Sequence, residues 1–248
     1  KVTTLIAIFV STSLNYISAI SINSLIHPKP TYLERDEAES YQIKVLGAEK
    51  PLELHHGTTT VAMTFKDGII AAVDSRASMG SYVGSSTTLK LIPVTKHIYG
   101  TMAGGAADCT FWLRILKSKI QECEDVLSVK SAAKILSNML HSLQGYNLSV
   151  GTMIMGWDNA KNTPALYFVD NKGTRIEGNY FSVGSGSTFA YGILDSAYRY
   201  DMDLKEAVEL GRKAVEMAAN RDSFSGGFIN VYFIGKNGIE RLSREFNE

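Results

Sequence analysis

Cysteine is nearly absent from this chain. Its 248 residues contain two, Cys109 and Cys123, which is too few for a disulfide framework. Both fall in segments with helical spacing, so a reduced, intracellular setting is expected. An excess of charge of one sign is also missing, because 25 Lys and Arg face 25 Asp and Glu. That balance gives no reason to expect nucleic acid or an acidic membrane surface as a partner. No long hydrophobic run is present at the N-terminus either. The apolar residues 5–10 are far too few to span a bilayer, and they sit at the lower limit for a secretory signal core. A degraded signal peptide is therefore the weaker reading of this region. The first residue is Lys1 rather than Met, so it need not be the biosynthetic start. Proline is scarce, and three of the five, Pro28, Pro30 and Pro51, precede residue 57. The five histidines are scattered apart from His55-His56, and none has the Cys/His spacing of a metal site. Neither metal nor cofactor is expected.

What is present is an ordinary globular composition, 45% hydrophobic and 20% charged, long enough for one large domain or two small ones. Residues 1–57 are rich in Ser, Ile and Leu, with a Pro-Lys-Pro kink and a charged patch at 34–39, and they carry no sustained periodicity. From Thr58 the character changes. Residues 58–65 and 69–73 read as β-branched strands joined at Lys66-Asp67-Gly68, a hairpin signal. Residues 89–94 and 97–102 are further strand candidates. Helical spacing follows over 106–123 and 131–144. Strands are expected at 151–157 and 165–169 and in the region 174–183, then helices at 188–199 and 204–220. A closing hairpin over 228–234 and 239–242 turns at Lys236-Asn237-Gly238. Strands arriving in hairpins between pairs of helices favour an antiparallel α+β layered fold over a doubly wound one. Two sheets packed face to face, with helix pairs outside, use every element.

The chemistry concentrates at Gly57-Thr58. A threonine hydroxyl is a weak nucleophile until a base activates it, and a free α-amine on the same residue can be that base. An internal Gly-Thr bond is thus a candidate self-cleavage point. A nearby Lys lowers the amine's pKa by like-charge repulsion, and a carboxylate holds that Lys in place. Lys90 and Asp74 could fill these roles, although an Asp74-Arg76 pair alone is usually a structural ion pair or turn. Gly104-Gly105, at a strand-to-helix corner, suits a backbone oxyanion donor. A Gly-Gly turn with no catalytic part is an equally common reading. The sequon at Asn147 matters only in a secreted protein.

Five motifs and the patch around Lys90 appear in fixed order: GTTT at 57, VDSRAS at 73, Lys90, GTMAGGAADC at 100, SVGSGSTFAYGILDS at 182 and RDSFSGG at 221. In this order they resemble the 20S proteasome β subunits, from about residue 57 to about 238. Met102, Ala106 and FAYGILDS resemble the type-5, chymotrypsin-like members in particular. The resemblance implies a four-layer αββα sandwich of the N-terminal nucleophile hydrolase fold. It implies a propeptide over 1–57 and a single catalytic domain over 58–248. Thr58 then matches the nucleophile, Asp74 and Lys90 its partners, and Gly104 the oxyanion donor. Ser185, Asp222 and Ser225 match the residues that orient the amine and support self-cleavage. Ala77, Thr88, Met102, Ala106 and Cys109 match the first substrate pocket, with substrate pairing as an added strand near Ser78, Gly104 and Ala106. Small alanines and a flexible Met leave room for a bulky apolar side chain.

The implied function is a threonine endopeptidase that cuts after bulky apolar residues and is activated by cleavage at Gly57-Thr58. It would work with other proteasome β and α subunits on unfolded polypeptides, in cytoplasm and nucleus, with no nucleic acid or membrane. A non-catalytic ring subunit and a simpler bacterial ring peptidase are the alternatives. The kept residues argue against the first, and the long leader and FAYGILDS against the second. Three departures from the family pattern stand out. Ser78 replaces a frequent Thr, Thr88 an apolar β-branched residue, and Phe224 a usual Tyr. The tail after Leu242 is also short, which bears on contacts between subunits.

Overall fold

The chain divides into two units, Lys1–Glu53 and Leu54–Glu248. A computed structural model describes residues 57–247 apart from Ser81, 123–126, Asn147 and Ala160. The leader up to residue 56, Cys123 and the sequon at Asn147 thus lie outside the described residues.

The first hairpin forms as the turn signal predicts. β1 (Thr60–Phe65) pairs antiparallel with β2 (Gly68–Val73). β1 starts two residues after Thr58, so Thr58 sits ahead of the strand rather than in it. A second hairpin, β3 (Ala77–Met79) with β4 (Tyr82–Ser85), was not expected. Its strands are only three and four residues long, too short to show an alternating pattern. β5 (Leu91–Pro93), β6 (Ile98–Thr101) and the short β7 (Ala103–Gly104) lead into α1 (Ala106–Gln121). α2 (Val129–His141) begins where the Ser128 side chain accepts a hydrogen bond from the Ser131 N–H, a cap that fixes the start two residues earlier than expected.

β8 (Val150–Asp158) and β9 (Thr163–Asp170) form the next hairpin. The region read as one strand over 174–183 is two: β10 (Arg175–Glu177) and β11 (Tyr180–Val183). α3 (Ser187–Ala197) and α4 (Leu204–Arg221) follow, the latter opened by a reciprocal capping box between Asp203 and Glu206. β12 (Gly227–Gly235) and β13 (Gly238–Asn247) close the chain. β13 is longer than its sequence pattern suggested. It pairs with β12 from Gly238 to Asn247 across a bulge at Val231/Tyr232.

Two antiparallel sheets result, in the orders β11-β1-β2-β12-β13 and β10-β9-β8-β6-β5, with β7 also on β8. Val61, Met63 and Ile70 of the five-stranded sheet pack against Ala190, Leu194, Leu210 and Val215 of α3 and α4. Its other face meets the six-stranded sheet through Ala62, Ala71, Met153, Met155 and Leu166. α1 and α2 pack on the far side of β8 and β9. This is the expected four-layer αββα sandwich. Strands β1 and β2 are buried on both faces, which is why they read as near-continuous apolar runs. Each large apolar side chain removed from water there contributes about 1.5–3 kcal/mol.

Candidate active site

Thr58 lies at the end of the sandwich where both sheets deliver polar groups. In the full-length chain Thr58 N is the amide of the Gly57-Thr58 bond. It donates to Ser185 Oγ at 3.1 Å. The Thr58 hydroxyl donates to the Gly57 carbonyl at 2.6 Å, and Lys90 Nζ lies 2.7 Å from Thr58 Oγ1. Lys90, just ahead of β5 in one sheet, also reaches Asp74, just after β2 in the other, at 2.6 Å. Both are at least 98% buried.

Asp74 is fully used as an acceptor. Oδ1 takes Lys90 and the Thr59 N–H at 3.0 Å, and Oδ2 takes the N–H groups of Gly226 at 3.0 Å and Arg76 at 3.3 Å. Burial is the strongest influence on the pair. It pushes the Asp74 carboxyl up and the Lys90 ammonium down from their ordinary ranges, and each partner's charge opposes that push in the other. A lysine held below its usual range, next to a hydroxyl, is suited to exchange a proton with it.

A second chain of hydrogen bonds runs behind the Thr58 amide. Ser185 Oγ donates to Asp222 Oδ2 at 2.5 Å, and Ser225 Oγ donates to the same oxygen at 2.6 Å. Ser225 has then spent its proton, so Thr59 Oγ1 is the donor in its 2.7 Å contact with Ser225 Oγ. Gly104 sits at φ 102°, and a Cβ there would lie 2.5 Å from the Ser149 carbonyl. Only glycine fits this corner.

A narrow cleft of about 30 Å³ opens beside Thr58, lined by residues that include Gly57, Ala77, Thr88, Met102, Gly104 and Ala106. Ser78, Lys90 and Arg76 complete its wall. The space holds about two waters, and Gly57 forms part of the wall.

Over residues 54–234 the sequence matches the family described as Proteasome subunit. The chain belongs to the proteasome subunit family. It is similar to proteasome subunit beta type-5 of Dictyostelium discoideum, 51% identical over 202 residues that cover 80% of this chain and 74% of the relative. The type-5 subunit of Gallus gallus is 50% identical over 204 residues, 79% of each chain. Proteasome subunit beta type-8 of Homo sapiens is 48% identical over 194 residues, 75% of this chain and 68% of that one. The sandwich is thus the N-terminal nucleophile hydrolase fold in a proteasome subunit.

Within this proteasome subunit the expected residues fall into three positions. Gly57, Thr58, Ala77, Ser78, Thr88, Lys90, Met102, Gly104 and Ala106 meet at the cleft. Asp74, Ser185, Asp222 and Ser225 stand behind it, joined to Thr58 or its neighbours by the hydrogen bonds above. Cys109 is set apart from the cleft wall. Its side chain is wholly buried, its thiol donates to the Ala103 carbonyl at 3.2 Å, and burial pushes its pKa up to about 12.

Arg76 reaches Asp74 through its backbone N–H, while its guanidinium donates to the Ser223 carbonyl at 3.2 Å. The simple Asp-Arg ion pair considered from sequence is therefore replaced by the Asp74-Lys90 pair. Thr59 had not been singled out, and Ser78 and Phe224, noted as departures from the family pattern, make contacts that the pattern did not give. Thr59 feeds both Asp74 and Ser225. Ser78 Oγ accepts the Gly57 N–H at 3.2 Å. Phe224 packs so closely on Gly57 that a Cβ at 57 would meet its Cβ at 1.7 Å. Thr59 and Phe224 lie inside motifs already noted, but a strand threonine and a loop phenylalanine carry no chemical signal by themselves. Among the described residues no group of three or more His, Cys, Asp and Glu could hold a metal, and no helix is long and apolar enough to cross a membrane. His55 and His56 lie outside the described residues.

Proposed function

We propose that this proteasome subunit is a threonine endopeptidase made as a precursor, with residues 1–57 as propeptide and 58–248 as catalytic domain. The observation that carries the reading is the row of contacts Asp74-Lys90-Thr58 Oγ1, with that oxygen beside the Gly57 carbonyl. In self-cleavage, Thr58 Oγ1 adds to the Gly57 carbonyl carbon and gives up its proton towards Lys90. The Gly57-Thr58 C–N bond breaks and the nitrogen takes a proton to leave as the amine. Water then hydrolyses the Gly57 ester on Thr58 Oγ1, releasing the propeptide carboxylate. Thr58 now carries its own base.

In peptide cleavage the same oxygen attacks a substrate carbonyl, with the Thr58 amine taking the proton. The Gly104 N–H receives the oxyanion, a donor worth about 10²–10³ in rate. The leaving amine is protonated, and water hydrolyses the resulting ester. Ser185, Asp222 and Ser225 orient the Thr58 nitrogen. Ala77, Thr88, Met102 and Ala106 receive a bulky apolar side chain, with the substrate backbone held near Ser78 and Gly104. The subunit assembles with other proteasome β and α subunits, acts on unfolded polypeptides, and works in cytoplasm and nucleus.

The test is Thr58→Ala in the full chain, assembled with its partner subunits. Mass measurement is expected to find residues 1–57 retained, and cleavage of reporter peptides after apolar residues to be lost. Full activity in this variant would sink the reading. An uncut leader in the wild-type assembled particle would instead support a non-catalytic ring subunit.

A further inference from the structure

In the uncut chain Thr58 is held from both sides. On the leader side, the Gly57 N–H donates to Ser78 Oγ at 3.2 Å, the Gly57 carbonyl accepts the Thr58 hydroxyl at 2.6 Å, and Phe224 packs against Gly57. On the other side, Thr59 is tied down three ways. Its N–H donates to Asp74 Oδ1 at 3.0 Å, its carbonyl accepts the Asp74 N–H at 3.1 Å, and its hydroxyl donates to Ser225 Oγ at 2.7 Å. The sheet ladder begins one residue later, with Thr60 opposite both Val73 and Val183.

The hydroxyl bond closes a ring. From the Thr58 nitrogen the contacts run to Ser185 Oγ, Asp222 Oδ2, Ser225 Oγ and Thr59 Oγ1, and the chain itself joins Thr59 back to Thr58. Thr59 is wholly buried and Ser225 is 1% exposed. The Thr59 side chain is β-branched, which restricts its rotation. It is also tightly enclosed, since a Cβ at Gly186 would come within 2.0 Å of Thr59 Oγ1.

On the peptidase reading proposed above, the cut at Gly57-Thr58 removes every leader-side contact at once. Residue 58 becomes a chain end, and chain ends fray unless they are tied down. The demand on its nitrogen rises at the same moment. As an amide it took no proton. As an amine it must present its lone pair to Thr58 Oγ1 while Ser185 accepts one of its hydrogens. The two main-chain bonds to Asp74 hold residue 59 but do not reach the groups that orient the amine. The Thr59 hydroxyl does.

We propose that the Thr59 hydroxyl is a positioning group for the mature nucleophile, needed for peptide turnover and not for the cut that frees the amine. Before the cut, the leader holds Thr58 in place without it. Afterwards the ring is what keeps amine and hydroxyl in register.

The test is Thr59→Val in the full chain, assembled with its partner subunits. Valine keeps the branched shape and both main-chain bonds to Asp74 and removes the hydroxyl. Mass measurement is expected to find residues 1–57 released as in the wild type. The kcat for a reporter peptide cut after an apolar residue should fall about tenfold, with KM within about twofold. Thr59→Ser, which restores the oxygen without the methyl, should recover kcat to within about threefold of wild type. Thr59→Ala should behave as Thr59→Val does. A fall in kcat of less than about fivefold for Thr59→Val overturns the proposal. Retention of the leader by both Thr59→Val and Thr59→Ala also overturns it, because the hydroxyl would then be needed before the cut. A serine variant no better than the valine one overturns it in favour of simple packing. Failure of the peptidase reading overturns both and shows differently, since the wild-type chain then keeps residues 1–57 and cuts no reporter.

Discussion

The seam between the two sheets changes character along its length. In its middle, Ala62 and Ala71 from one sheet meet Met153, Met155 and Leu166 from the other, and no charge is present in that cluster. At the Thr58 end the seam is crossed by a buried ion pair, with Asp74 contributed after β2 and Lys90 before β5. The apolar stretch holds the sheets together at little cost. The polar end does the same job with groups that are expensive to bury, and well-packed apolar residues could replace them without loss of stability. That expense is understandable where the charges act on Thr58. The seam therefore separates an apolar packing region from the buried ion pair of the proposed active site.

Substitutions can break this comparison. Lys90→Met leaves Asp74 buried without its counter-charge. It is expected to cost about 3–5 kcal/mol in urea unfolding and to abolish peptide cleavage. Adding Asp74→Leu should restore part of the stability and none of the cleavage, a double-mutant cycle that isolates the pair. If Lys90→Met alone costs under about 1 kcal/mol, the polar end is not what holds the sheets there. In the apolar middle, Met155→Ala is expected to cost about 2–3 kcal/mol through lost burial and a partly closed cavity. Its effect on cleavage should follow stability alone.

Cys109 sharpens the boundary between the two kinds of packing, because it lies next to the cleft residues yet in apolar surroundings. Its folded pKa is raised to about 12, so the folded chain keeps the thiol proton where the unfolded chain loses it. The stability this gives is full below the ordinary thiol pKa and falls away as pH rises towards about 12. In a Cys123→Ser background, Cys109 is expected to resist iodoacetamide at pH 9 until urea unfolds the chain. Rapid alkylation of the native protein would place it on the open cleft instead. The smallest effect is expected from Ser128→Ala, which removes the α2 cap for about 1 kcal/mol and, far from the seam's polar end, should leave cleavage intact.

Most elements were legible because their causes are local. Lys66-Asp67-Gly68 and Lys236-Asn237-Gly238 mark hairpins, and helical spacing marks α2, whose buried face is Ala132, Ala133, Leu136 and Leu140. The misses come from tertiary pairing. Glu240, Arg241, Arg244 and Glu245 hide β13 from any apolar pattern, yet β12 holds it in register to Asn247. Residues 174–183 read as a single strand region, although Gly178-Asn179 lie in its middle. Around Gly178 the chain leaves one sheet for the other, with β10 on β9 and β11 on β1. In the site, residue types and order pointed to Thr58, Asp74, Lys90 and Gly104. The burial of Cys109 and the contacts of Thr59 with Asp74 and Ser225 depend on distances that no spacing encodes.

The partners of Thr58 are far away in the chain. Ser185 follows it by 127 residues, and the Gly226 N–H that Asp74 accepts comes 152 residues after Asp74. During synthesis the chain emerges from its N-terminus. Until Gly226 has left the ribosome, Thr58 has neither its complete hydrogen-bond frame nor the β12 strand beside β2. A truncated product lacks these contacts altogether. The order of translation thus sets when the hydrogen-bond frame around Thr58 can close, and a half-made chain carries no such frame.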